Sequence, residues 1–300
     1  MCGSTSQRQE KRAALTLHEL LHLLALEAGP TDGAGDVFVG RSQSQPKDRV
    51  FGGLQLAQAV VAAGRTVPRS HRALSLQADF LAGVPTGAPL RWRVERLSDA
   101  RSLSTRRTSL VSDNGTELFT AVSRWGTVRE DMPVHLPVRP LPAPAPEELP
   151  ELADRFADDE RVPPWWRMER PVAFRHTTAP PYLEVVEPRQ DHQTVWVRAT
   201  APVPDDEVVR AAVVAYISDM SLLEGVFRAL GSRRHAEGSQ ILSLTHTLTW
   251  HHHPDLTDWH QFDCRIRAVS HGRTLGTGEI FDREGRHVVS ASQLGLIRLA

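Results

Sequence analysis

The chain has 300 residues, of which 40% are hydrophobic and 24% charged, a composition that argues against a disordered or collagen-like protein. The formal net charge of -1 argues against a nucleic-acid-binding surface or strong binding to an anionic membrane. No apolar run reaches the ~20 residues that cross a bilayer, and residues 1–14 lack the pattern of a secretory signal. Cys2 and Cys264 are too few for a disulfide framework. We therefore expect a cytoplasmic protein with no membrane insertion and no nucleic-acid partner.

The N-terminal part of the chain predicts helices followed by an antiparallel meander. Residues 16–27 carry leucines at helical spacing, and residues 54–67 are apolar on nearly every side, which is typical of a buried helix. From His71 onward the hydrophobic period changes to two, which predicts strands. These strands cover residues 74–80, 90–97, 102–111 and 117–125, after a short strand at 36–40. Asn114-Gly115 predicts a hairpin between the last two.

Prolines crowd residues 129–170 and deny that stretch the backbone donors of a sheet. We predict a partly extended linker with one short helix near residues 147–156. After the linker the earlier order returns, with a largely apolar helix predicted over residues 207–230. Strands are predicted at 171–175, 194–200, 241–250, 259–268, 273–282 and 287–299.

The second half repeats the first. Leu74-Ser75-Leu76 recurs as Leu242-Ser243-Leu244, the segment 101–105 recurs at 273–277, and the hairpin Gly115 recurs as Gly285. Three matches in the same order and at nearly the same separation indicate duplication of one unit. We predict an α+β protein of two units, residues 1–128 and 171–300, joined by the linker 129–170. Each unit is a buried helix wrapped by an antiparallel sheet, and the two sheets lie side by side so that each hides an edge.

Two groups of histidines resemble metal-binding patterns. His18-Glu19-Leu20-Leu21-His22 is a literal H-E-x-x-H, which on a helix can hold zinc. The motif lacks a third ligand, so we interpret it as an amphipathic helix. The second group lies in and after the strand 241–250, where consecutive histidines point to opposite faces; its members are His246, His251, His252, His253 and His260. We keep a zinc protease that uses His18 and His22 as a minor hypothesis. The preferred interpretation predicts no metal and no cofactor.

Asp219 stands out because it lies within an apolar helical segment. A carboxylate buried there needs polar partners, since desolvation of an unpaired charge is costly. Ser243 and Gln293 lie on strands predicted to face the helix. A carboxylate, a hydroxyl and an amide that converge can orient and deprotonate a water molecule without covalent catalysis. The alternative is that Asp219 is an ordinary residue of the helix surface.

Gly52-Gly53 opens the first buried helix. Glycines there let a ligand oxygen approach free backbone N–H groups, although a tight turn that needs positive φ explains them equally. The repeat places Phe51, Ser75 and Ser123 at the positions that correspond to Asp219, Ser243 and Gln293. We therefore expect the second unit to carry the polar residues of the site and the first unit to contribute only residues that line it.

Five separated stretches resemble, in order, the acyl-CoA thioesterase II family, the double hot-dog thioesterases. They are VFGG at 50–53, RSLSTRR at 101–107, AYISDM at 215–220, SLTHT at 243–247 and IFDREGR at 280–286, followed by Gln293 and Gly295. The resemblance covers residues 16–298 and implies a tandem double hot-dog fold that hydrolyses fatty acyl-CoA to free acid and CoA. It implies a catalytic set of Asp219, Ser243 and Gln293, with Gly52 and Gly53 near the thioester carbonyl.

The resemblance is incomplete at several positions. Ser243 stands where the family often has threonine, Leu294 where an acidic residue is usual, and His252-His253-Pro254-Asp255 where His-Arg-Pro-Phe is usual. The last two differences bear on substrate preference. The arginine pairs Arg106-Arg107 and Arg233-Arg234 are candidates for the CoA phosphates, with Arg106 and Arg107 lying in a family motif.

Two further expectations concern partners. The exposed edges of a double hot-dog favour a homo-oligomer. The competing hypothesis from another class is a protein that binds acyl-CoA or an acyl carrier without hydrolysing it.

Overall fold

The structure, a computed structural model, describes residues 15–30, 33, 35–43, 49–162 and 168–299. Residues 1–14, and with them Cys2 and the expectation about a signal segment, lie outside the described residues. Among the described helices, none combines the length and the apolar character needed to cross a membrane.

The first unit places one long helix against an antiparallel sheet. The last three strands form the predicted meander, whereas the strand Arg72–Phe80 is out of that order and pairs with Glu117–Gly126. The elements of this unit are α1 Leu17–Leu24, β1 Glu27–Ala28, β2 Asp36–Gly40, α2 Gly52–Gly64, β3 Arg72–Phe80, β4 Leu90–Asp99, β5 Leu103–Val111 and β6 Glu117–Gly126. α1 begins at a capping box, in which the side chains of Thr16 and Glu19 each accept from the other's backbone N–H. The helix predicted over residues 16–27 ends earlier than expected because the chain turns into β1.

The second unit repeats this plan with one difference in its helix. The linker before it contains a short helix, α3 Leu152–Arg155, within the predicted range 147–156. The elements of the second unit are β7 Val172–His176, β8 His192–Ala199, α4 Glu207–Ser221, α5 Gly225–Ala229, β9 Gln240–Trp250, β10 His260–Ser270, β11 Arg273–Phe281 and β12 His287–Arg298. The continuous helix predicted over residues 207–230 is wrong, since the chain breaks between α4 and α5. Glu224 lies in the break, where it accepts from Tyr182 Oη and pairs with Arg234. These tertiary contacts override a helical sequence that contains no proline.

The described strands form one antiparallel sheet that both units share. Its order is β1-β2-β4-β5-β6-β3-β9-β12-β11-β10-β8-β7, so the two halves run in the same order outward from the β3–β9 pair. At this junction Gln77 pairs with Thr247. α2 and α4 pack against each other inside the sheet and form the core together with the inward side chains. The predicted α+β tandem double hot-dog, with two sheets side by side, is confirmed.

The proline-rich linker crosses the second unit instead of hanging free. Leu141 donates its N–H to Asp263 Oδ2 (2.8 Å) and accepts from Gln261 Nε2 (2.7 Å), both on β10. Trp196 Nε1 donates to the carbonyl of Pro144 (3.0 Å). The linker therefore covers the face of the second sheet that points away from α4. The exact boundaries at residues 128 and 170 stay a prediction.

Matching bulges set the register between the two units. Leu74 in β3 and Leu244 in β9 are each skipped in pairing with the neighbouring strand, so these two leucines occupy equivalent positions. Counted from them, His246 is equivalent to Leu76, and their register partners Gln293 and Ser123 are equivalent as expected. Ser243 corresponds to Ala73, so the expectation that it matches Ser75 is wrong.

The helices align from their first residues. Asp219 is the thirteenth residue of α4 and Gly64 the thirteenth of α2. The contacts mirror each other, because a Cβ on Gly64 would meet Val208 near the start of α4 and a Cβ on Gly52 would meet Asp219. The expected match of Asp219 with Phe51 is therefore wrong. α5 and the loop after it lengthen the second unit between its helix and β9, which is why helices and strands repeat at different separations.

Gly64→Ala tests this packing. The new Cβ would lie 2.5 Å from Val208 Cγ1 and 3.0 Å from Trp125, so we expect the free energy of unfolding to fall by about 1–3 kcal/mol in urea titrations. Gly225→Ala is the control, because its Cβ would meet nothing closer than 3.6 Å and alanine favours a helix. Equal stability of the two variants would contradict the close packing of α2 on α4.

Candidate active site

Three polar side chains from three elements converge in the second unit. Gln293 Nε2 on β12 donates to Asp219 Oδ1 on α4 (2.5 Å) and to Ser243 Oγ on β9 (2.7 Å). Ser243 Oγ in turn donates to Asp219 Oδ1 (3.2 Å). The structure thus brings together the three residues singled out from the sequence, in a closed triangle of hydrogen bonds.

The start of α2, from the first unit, reaches the same carboxylate. A Cβ on Gly52 would lie 2.7 Å from Asp219 Oδ2, and one on Gly53 would lie 2.6 Å from the Tyr216 carbonyl oxygen. Neither glycine has positive φ, so the alternative of a left-handed turn is wrong. Glycine is needed here because any side chain would collide with α4.

The helix start also presents backbone donors to the site. Phe51, the N-cap residue of α2, provides no side-chain acceptor for the N–H groups of Gly52 and Gly53, which come too early in the helix to find a carbonyl partner within it. The Gly53 N–H hydrogen-bonds to Asp219. Free N–H groups and the helix dipole favour negative charge at this point.

Burial raises the pKa of Asp219 to about 6, because loss of water disfavours the charged carboxylate. The hydrogen bonds from Gln293, Ser243 and the Gly53 backbone oppose this shift by stabilising the charge. At neutral pH the group is mostly ionised, yet it is a stronger base than an exposed aspartate. It suits the removal of a proton from water.

Three aromatic residues that sequence reasoning did not assign to the site lie beside it. The rings of Phe51 and Tyr216 meet edge to face at 5.2 Å, and Phe80 lies against Gly52. Burial, with Asp219 nearby, raises the pKa of Tyr216, so its hydroxyl stays protonated. Phe51 and Tyr216 do belong to the family-like stretches 50–53 and 215–220, which is the signal that could have found them.

Arg106 does not reach the site. Its side chain is 1% exposed and its donors are all used inside the first unit, by Thr66, Ser98, Thr105 and Asp99. A side chain buried this completely cannot bind a CoA phosphate, and we therefore assign Arg106 a structural role.

The other three arginines are more exposed. Arg107 pairs with Glu95 and Glu117 on β4 and β6. Arg234 pairs with Glu224, and its charge lowers the pKa of Asp219. Arg233 donates to the Leu183 carbonyl. Of the four, Arg234 is the one whose charge acts on the triad.

The histidine motifs do not form a metal site. Glu19 serves the capping box of α1, and His18 and His22 lie on the exposed side of that helix with their Nε2 atoms 3.0 Å apart. Throughout the described part of the chain, no three His, Cys, Asp or Glu side chains are grouped so that they could hold a metal ion. His246 separates from the other histidines, since it is buried beneath α4.

The raised pKa of Asp219 predicts a gain in stability on neutralisation. The native carboxylate holds its proton more tightly than the unfolded one, so native stability is lost as pH rises through about 6. We expect Asp219→Asn to raise the free energy of unfolding at pH 8 by up to about 3 kcal/mol, and the gain to shrink toward zero at pH 4. Urea titrations at both pH values test this, with the exposed Asp113→Asn as control. A loss of stability at pH 8 would contradict the desolvated carboxylate.

Family models match both units of the chain. Residues 41–126 match the model described as the acyl-CoA thioesterase N-terminal domain, and residues 144–297 match the acyl-CoA thioesterase C-terminal domain. The two matches follow each other in the order of the two units.

Individual relatives agree with the models. The chain is 27% identical to mouse acyl-coenzyme A thioesterase 8, over 94% of this chain and 90% of the relative, and 27% identical to acyl-CoA thioesterase 2 of Haemophilus influenzae, over 95% and 98%. Among solved structures, the tesB protein of Mycobacterium avium subsp. paratuberculosis is 26% identical with a TM-score of 0.75, covering 94% of this chain and 100% of that one. The acyl-CoA thioesterase II TesB2 of Mycobacterium marinum is 26% identical with a TM-score of 0.71, covering 94% and 98%. The chain belongs to the acyl-CoA thioesterase family, whose two hot-dog domains it carries in tandem.

Proposed function

We propose that the protein hydrolyses acyl-CoA thioesters to free acid and CoA, with Asp219 as the general base. The observation that carries the proposal is the convergence of Asp219, Ser243 and Gln293 beside the start of α2. Membership of the acyl-CoA thioesterase family supports the substrate class.

The reaction needs one water molecule and no covalent intermediate. Asp219 takes a proton from water while the water oxygen attacks the thioester carbonyl carbon. Ser243 and Gln293 hold the carboxylate and orient the water. The oxyanion that forms faces the start of α2, where the N–H of Gly52 stabilises it while the N–H of Gly53 stays hydrogen-bonded to Asp219. The C–S bond then breaks, and the proton on Asp219 passes to the leaving thiolate.

The geometry favours hydrolysis over the competing hypothesis of a binding protein without turnover. Binding an apolar acyl chain does not need a half-buried carboxylate with a raised pKa, and such a group lowers stability. A general base does need it, because its pKa must lie near the working pH.

The assignment of substrate-binding residues changes with the structure. We propose Gly52 and Gly53 at the thioester carbonyl, and we leave Arg106 out because it is buried and fully hydrogen-bonded. Arg107 is held by two glutamates, so a role at the CoA phosphates requires that it leave them. Self-association and a cytoplasmic location are proposals that rest on the sequence.

Asp219→Asn removes the base and keeps the shape of the side chain. We expect thiol release from acyl-CoAs of graded chain length to fall by about 10²–10⁴-fold, the range for loss of a general base. Ser243→Thr keeps the hydroxyl and is expected to stay active, whereas Ser243→Ala is expected to be impaired. Near-normal turnover in Asp219→Asn would refute the assignment, and a wild-type protein that binds acyl-CoA without releasing thiol would favour the binding hypothesis.

The pH dependence of the wild-type enzyme follows from the same carboxylate. Since the active form is ionised and its pKa is about 6, kcat/KM is expected to fall as pH drops through that value, by tenfold for each further unit. The profile is measured by thiol release between pH 4.5 and 8, with circular dichroism to check folding. A flat profile down to pH 4.5 would show that a different group is the base.

A further inference from the structure

A second pair of buried polar residues lies directly behind the triad. Ser218 Oγ donates to the Ala215 carbonyl oxygen within α4 (2.9 Å), and His246 Nε2 lies 2.9 Å from the same Oγ. Because the hydroxyl proton is used by Ala215, His246 Nε2 is the donor of this bond. Both side chains are 0% exposed.

This bond joins the elements that hold the three site residues. Ser218 precedes Asp219 on α4, and His246 lies three residues after Ser243 on β9, beyond the bulge at Leu244. Across the β9–β12 ladder, the register partner of His246 is Gln293. One hydrogen bond therefore ties the backbone next to Asp219 to the strand pair that carries its two partners.

The first unit provides an internal comparison. In the alignment of helices and bulges given above, Ser218 corresponds to Ala63 and His246 to Leu76. Ala63 is 0% and Leu76 is 1% exposed. The same place in the fold therefore packs well with two apolar side chains, and the polar pair occurs in the unit that has the carboxylate.

The polar pair is also costly. His246 Nδ1 is buried without a hydrogen-bond partner among the described residues, and a buried polar atom without a partner lowers stability. Burial lowers the pKa of His246 to about 3, so the ring is neutral wherever Asp219 is ionised. The bond to Ser218 is thus constant over the working pH range. Folding alone does not explain why these residues are used.

We propose that the Ser218–His246 hydrogen bond is a positioning device, which fixes α4 against β9 and β12 so that Asp219 stays within hydrogen-bond distance of Ser243 and Gln293. The inference rests on the proposed function of that triad. Neither residue touches the reacting atoms. Their effect is geometric, and small displacements of a catalytic group reduce turnover strongly.

The test replaces Ser218 and His246 by the residue types that the first unit has at the equivalent positions. Ser218→Ala and His246→Leu, alone and together, are compared with wild type for kcat, KM and the pH profile of thiol release. We expect kcat to fall by about 10–100-fold with KM little changed, and the double variant to be no worse than the more impaired single one. Ser218→Thr, which restores the hydroxyl, is expected to recover activity. The apparent pKa of the profile is expected to rise above its wild-type value, because weaker hydrogen bonds stabilise the Asp219 charge less.

A matched control lies in the first unit. His71 Nδ1 and Ser104 Oγ form a buried hydrogen bond of 3.1 Å between a histidine and a serine, on elements that carry no triad residue. Ser104→Ala is expected to lower the melting temperature and leave kcat and the pH profile unchanged.

The outcomes separate this inference from the proposed function. If Ser218→Ala keeps kcat within twofold of wild type while Asp219→Asn is inactive, the positioning role is wrong and the hydrolase assignment stands. An equal loss of kcat in Ser104→Ala also overturns the positioning role. If Asp219→Asn is active, the proposed function is wrong, and the positioning role falls with it. Ser218→Ala removes a single oxygen, so it decides the question even if His246→Leu does not fold.

Discussion

The site depends on a carboxylate that is largely withdrawn from water between two packed helices. Asp219 approaches the start of α2 so closely that only glycine fits at position 52. A desolvated charge of this kind must be met by donors, and Gln293, Ser243 and the Gly53 backbone supply them. The contact lies at the edge of the apolar core that the two units share, where α2 packs on α4. The site exists only where α4 of the second unit meets α2 of the first.

The duplicated fold has two equivalent places for such a site and uses one. Where the second unit has Asp219, Ser243 and Gln293, the first has Gly64, Ala73 and Ser123. The glycine lets Val208 and Trp125 close the space. The first unit therefore keeps the scaffold with small side chains, and its contribution to the site is the N-terminal end of α2. One half supplies the base and the other supplies the backbone donors.

Much of this arrangement was predictable because it follows local rules. The two apolar helices, the strand periods and the hairpin at Asn114-Gly115 come from patterning, and the equivalence of the two halves of the sheet follows from the repeat. Asp219 was found by the cost of burying a charge, and its two partners by the need to offset that cost. The predicted triad matches the geometry for this reason.

The features that escaped prediction arise from long-range contacts. The bulges at Leu74 and Leu244 shift the register in a way that no periodicity reveals. For this reason the residue of the first unit that is equivalent to Ser243 is Ala73 and not Ser75. Glu224 breaks the helix through bonds to Tyr182 and Arg234, which come from other parts of the chain. Arginine is a residue type that commonly binds phosphates, and the structural role of Arg106 is visible only from its buried surroundings. The sequence groups His246 with the histidines that follow it, whereas in the structure its hydrogen-bond partner is Ser218 on another element.

The central claim is that Asp219 activates water directly and forms no bond to the acyl group. A single turnover in ¹⁸O-labelled water, with enzyme in excess over acyl-CoA, tests it by mass spectrometry of the free acid and of the peptide that contains Asp219. Direct attack places one ¹⁸O atom in the carboxyl group of the released acid and none in Asp219. Label in the Asp219 carboxylate would instead reveal an acyl-aspartyl anhydride and contradict the general-base mechanism.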